Sequence, residues 1–139
     1  MSRVYIPVAL RYLVTERAAS KCEYCLLHQD DSSFTHAIDH IIALRHGGQT
    51  TPENLALACI NCNRNKGNDL TTLDPLTNRV TTLFNPREQN WHDHFALLGA
   101  RILGLTPNGR ATIALLRMND IVRRQEREQL LAVGRYPPD

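Results

Sequence analysis

Cys22-Glu23-Tyr24-Cys25 and Cys59-Ile60-Asn61-Cys62 bracket the stretch that decides the fold, with Asp39-His40-Ile41-Ile42 between them. A two-residue gap lets both thiolates of a knuckle reach one ion, and two knuckles complete a tetrahedral zinc shell. Four sulfur ligands leave no position open for water. The expected Zn²⁺ is therefore structural, held by Cys22, Cys25, Cys59 and Cys62. Disulfides in a secreted protein are the competing use of the same cysteines. The interval from Leu26 to Ala58 is longer than a simple zinc ribbon needs, so something else must occupy it.

Outward from the knuckles, the pattern predicts an α+β chain. Leu10, Val14 and Ala18 recur at helical spacing behind Pro7, which predicts an amphipathic helix over residues 7–20. Gln29 to Ser33 is polar and predicts a loop, and Phe34 to Leu44 predicts a short strand broken by Gly47-Gly48. Thr51-Pro52 resembles a helix cap and predicts a short helix through Ala58. A helix following the second knuckle should end near Gly67. Farther on, the expectation is a turn at residues 74–77, a strand at 79–84 and another at 97–105, interrupted by Gly99 and Gly104. Helices should follow from Pro107 to about Met118 and from about Asp120 to Gly134. The natural subdivision falls near residue 71, giving a core over 1–70 and a strand-helix extension over 71–139 packed on or beside it.

Taken in order, Asp39-His40-Ile41-Ile42, Gly47-Gly48, Asn54-Leu55 and Cys59-Ile60-Asn61-Cys62-Asn63-Arg64-Asn65-Lys66 resemble the HNH endonuclease family. The resemblance covers about residues 22–68, and flanking segments at Arg17 to Cys25 and Asp74 to Pro86 also resemble its bacterial members. It implies a ββα-metal core and a metal-dependent endonuclease, with Asn54 tying down the loop around His40. It also implies products with 5′-phosphate and 3′-hydroxyl ends. Two departures stand out: Ala43 replaces a frequent proline, and Asn63 stands where histidine is also found.

The same residues suit the chemistry directly. Phosphodiester hydrolysis needs an activated water, a cation against the developing charge and help for the leaving oxygen. His40, with an ordinary pKa near neutrality, is the expected general base. The Asp39 carboxylate and the Asn63 amide oxygen are hard ligands suited to Mg²⁺ or Mn²⁺. Arg64 and Lys66 follow at once and are expected to bind backbone phosphates. Adjacent strand residues face opposite ways, so Asp39 and His40 should lie at a strand end or in a distorted loop. DNA is the expected partner, and RNA stays open. The rival class is a non-catalytic zinc module that binds nucleic acid or protein, which would have no use for Asp39, His40 and Asn63 together.

Bulk properties add little. The net charge of +2 decides nothing about partners, though arginines 101, 110, 117, 123, 124, 127 and 135 crowd the last third of the chain. Those at 110, 117, 123, 124 and 127 are expected to face solvent or to widen a DNA surface. No run of about 18 apolar residues is present, so no membrane span is expected. The opening residues Met1 to Pro7 lack the pattern of a secretory signal, which points to the cytoplasm and reduced thiols. His36 is expected either at a phosphate or facing solvent from a strand, and His46 at the surface. Trp91-His92-Asp93-His94 is expected to be a turn with Trp91 on the core, in preference to a second metal site. The sequence leaves oligomeric state open.

Overall fold

The computed structural model describes residues 5–139; Met1 to Val4, part of the opening segment considered above, lie outside the described residues. The chain is mixed α and β, with three two-stranded antiparallel sheets and five α-helices among the described residues. Helix α1 spans Val8–Arg17, strand β1 Ala37–His40, strand β2 Leu55–Ala58 and helix α2 Ile60–Lys66. Strands β1 and β2 with helix α2 form the ββα core. Beyond it come β3 (Thr71–Leu73), β4 (Val80–Thr82), the short α3 (Trp91–His94), β5 (Phe95–Leu98) and β6 (Arg101–Gly104). Helices α4 (Pro107–Leu116) and α5 (Ile121–Ala132) complete the fold. No helix among the described residues is long and apolar enough to cross a membrane.

The expected helix over 51–58 is corrected. Only Pro52–Asn54 make a single 3-10 turn, and Leu55-Ala56-Leu57-Ala58 is a strand buried on both faces. A short apolar run cannot be assigned to helix or strand by periodicity, and here pairing decides. β1 meets β2 with Ile38 opposite Leu57, Asp39 opposite Ala56 and His40 opposite Leu55. Leu55 and Leu57 pack under Val14 and Ala18 of the α1 segment, while Ala56 and Ala58 face the cysteines. Arg17 fastens the two elements, donating to the carbonyls of Pro52 and Leu55 at 2.9 and 2.7 Å. The single strand expected over 97–105 is likewise two strands, β5 and β6, joined at Gly99-Ala100 into a hairpin.

The main core joins the cysteines to the second half of the chain. Cys22, Cys25, Cys59 and Cys62 cluster with Tyr24, Phe84, Trp91, Phe95, Ile102, Leu116 and Met118. Trp91 donates its indole N–H to the carbonyl of Tyr24, inside the first knuckle, at 2.8 Å, which satisfies the buried indole.

Candidate active site

Both knuckles form at turns that bend the backbone back on its own sulfur. The Cys25 amide points to Cys22 Sγ and the Cys62 amide to Cys59 Sγ, each at 3.4 Å. Cys59 thereby caps α2. The four sulfurs lie within 4.8 Å of one another, all buried, with Cys25 and Cys59 Sγ 3.6 Å apart. Four sulfurs at about 2.3 Å from one ion stand about 3.8 Å apart, so the cluster fits a tetrahedral zinc.

A cleft of about 610 Å³ opens beside β1 and α2, lined by Asp39, His40, Asn63 and Arg64, together with Arg45. Two elements of the same ββα unit deliver these side chains. Asp39 and His40 occupy successive positions of β1 and so face opposite ways; His40 is the last residue of the strand, and both line the cleft. His40 is half-buried, with Nε2 2.9 Å from Thr50 Oγ1. Burial lowers its pKa against the opposing pull of Asp39, which favours the neutral imidazole, the form able to accept a proton.

The loop after β1 is closed by Asn54. Its side-chain oxygen accepts from the Ile42 amide, and its amide donates to the carbonyls of Ile42 and Gln49, all at 2.9 Å. A side chain at Gly48 would meet the Ile42 carbonyl oxygen at 1.8 Å, so only glycine fits that approach.

Asp39 is set deeper. Its carboxylate accepts from the Tyr24 hydroxyl at 2.8 Å and from the Lys66 ammonium at 3.2 Å. Burial raises its pKa, opposed chiefly by Lys66. Lys66 also reaches the other carboxylate oxygen at 3.3 Å, so these bonds engage both oxygens and orient the group. Asn63 lines the same cleft, and a carboxylate with an amide oxygen is the kind of donor chemistry that a hard divalent ion takes.

Lys66 is placed otherwise than expected. It is 2% exposed and donates to Asp39 and to the carbonyls of His40 and Ile41, both at 3.1 Å. Its three donors are used inside the protein, and the phosphate role is withdrawn. Arg64, by contrast, is exposed at the cleft. His36 is neither at a phosphate nor in solvent: it is buried, with Nε2 2.8 Å from the Leu27 carbonyl. His46 is exposed. The extension's arginines are corrected too. Arg110 pairs with buried Asp74, while Arg123 and Arg127 are buried among sulfurs and carbonyls. Only Arg117 of the five is well exposed, and it pairs with Asp120. Sequence reasoning missed Tyr24, Thr50 and Arg45 at the site, and no local signal marks them.

Residues 22–69 match the HNH endonuclease family model, an interval that includes both knuckles, β1, β2 and α2. No curated protein and no solved structure matches the chain.

Proposed function

We propose that this protein is a metal-dependent endonuclease that hydrolyses DNA phosphodiester bonds. The observation that carries the reading is that His40, Asp39, Asn63 and Arg64, drawn from β1 and α2, all line one open cleft. His40 accepts the proton of the attacking water on an imidazole nitrogen, its ring held at Nε2 by Thr50. Asp39 and Asn63 would hold Mg²⁺ or Mn²⁺, which supplies positive charge against the phosphate and the leaving oxygen. Arg64 grips a backbone phosphate as a planar fork. Asn54 keeps the loop after His40 from drifting. The four cysteines hold a structural Zn²⁺, which suits a reducing compartment such as the cytoplasm.

One observation favours the rival, a non-catalytic zinc module: the Asp39 carboxylate is already paired with Lys66 and Tyr24. Incubating purified protein with supercoiled plasmid, and separately with folded RNA, decides between them. Relaxation or linearisation of plasmid with added Mg²⁺ or Mn²⁺, abolished by chelator, supports the endonuclease. Cleavage of RNA alone would reassign the substrate, and intact nucleic acid in every arm would leave the binding module.

A further inference from the structure

Four thiolates around one Zn²⁺ carry a net charge of −2, and the cysteines are buried. Buried charge of that size needs a partner. Arg123 of α5 is 8% exposed and directs Nη2 at Cys62 Sγ, 3.0 Å away, with Cys59 Sγ at 3.7 Å. Its Nη1 donates to the Leu116 carbonyl at 2.7 Å, which fixes the fork against the end of α4. The opposite knuckle is reached from the same end of the chain: the Tyr136 hydroxyl donates to the Cys25 carbonyl at 2.7 Å. Arg127, one turn after Arg123, donates to the carbonyls of Ala100 and Met118, both at 2.7 Å, and lies 5.9 Å from the Tyr136 ring centre.

We propose that Arg123 is the counter-charge of the zinc centre, a positioning residue through which α5 holds the Cys59–Cys62 knuckle. This rests on reading the four-cysteine cluster as a zinc site. The guanidinium draws charge from the Cys62 sulfur, strengthening its hold against protonation and exchange. Because α2 begins at this knuckle and carries Asn63 and Arg64, docking of α5 and geometry of the cleft are linked through the metal.

The test compares full-length wild type with Arg123→Met, of similar length without charge, and Arg123→Lys, which keeps the charge. Three readouts serve: zinc content, rate of zinc transfer to a chelator, and the sulfur-to-metal absorption of cobalt-substituted protein. Arg123→Met should release zinc about 10–100-fold faster, the usual scale for losing a partner of a metal ligand. Its cobalt band should move to lower energy, because an unbonded thiolate gives up charge more readily. Arg123→Lys should recover most of the slow release. Zinc-containing Arg123→Met with wild-type release and spectrum overturns the proposal while leaving the zinc site standing. Wild-type protein without zinc overturns both. Should Arg123→Met not fold, Arg123→Lys decides: zinc-loaded, folded protein supports the counter-charge, and equal failure to fold overturns it.

Discussion

Lys66 Nζ lies 3.2 Å from Asp39 Oδ2, and the two side chains are 2% and 4% exposed. The pair joins the end of α2 to the end of β1, and the same ammonium also satisfies the His40 and Ile41 carbonyls. Lys66→Met should strand a buried carboxylate and two carbonyls. The expected loss is about 3–5 kcal/mol of folding stability, as for other broken buried pairs. Denaturant unfolding checks it; a midpoint equal to wild type would remove Lys66 from the framework of the site.

Arg64 and Arg45 are exposed and line the cleft. Alanine at either should weaken binding to all DNA sequences alike. Each replacement should also flatten the plot of log affinity against log salt by about one unit, the signature of one lost phosphate contact. An unaltered slope would count against a phosphate contact at that arginine.

Asp74 has no exposed side-chain surface and accepts from Arg110 Nε and Nη2, at 3.0 and 2.8 Å, in the hairpin of β3 and β4. The hydrogen bonds from Arg110 hold its carboxyl well below the usual carboxylate range, against the effect of burial. A pKa lowered by folding stabilises the protein above the unfolded value of about 3.9, and that stabilisation is lost as pH falls toward the folded value. Asp74→Asn should therefore lower Tm at neutral pH, with the gap from wild type closing below about pH 4. A gap that stays constant with pH would contradict the pairing.

The core predicts one further behaviour. Phe84, Trp91, Phe95, Ile102, Leu116 and Met118 share a cluster with the four cysteines. A chain ending at Leu70 loses that cover and should be insoluble or lack fixed side-chain packing. A truncated chain that folds cooperatively and retains zinc would show that the core over 1–70 stands alone.

What the sequence disclosed was what local spacing can encode. The knuckles are visible because two residues between cysteines is itself the geometry of chelation, and Asp39, His40 and Asn63 stand in fixed order around them. The buried run Leu55 to Ala58 is a strand where its sequence predicts a helix, because a helix and a doubly covered strand look alike over four residues. Lys66 and Arg64 are two positions apart on α2, and only the fold reveals that one points inward and the other out. The arginines of α5 resemble a solvated face, yet Arg123 and Arg127 are turned inward by sulfur and carbonyl acceptors supplied from distant segments. Thr50, ten residues on in the chain, meets His40 across a loop that Asn54 closes, which no local spacing encodes.

His40 is proposed as the base that activates water in the cleft. That role is tested most directly by the single-turnover rate of plasmid nicking by His40→Ala beside wild type, at saturating Mg²⁺ or Mn²⁺. Zinc content and DNA affinity are measured on the same preparations. The expected result is a rate lower by about 10²–10⁴-fold, the usual loss on removing a general base, with zinc and affinity retained. Nicking by His40→Ala at the wild-type rate, in protein free of other nucleases, would show that His40 is not the base.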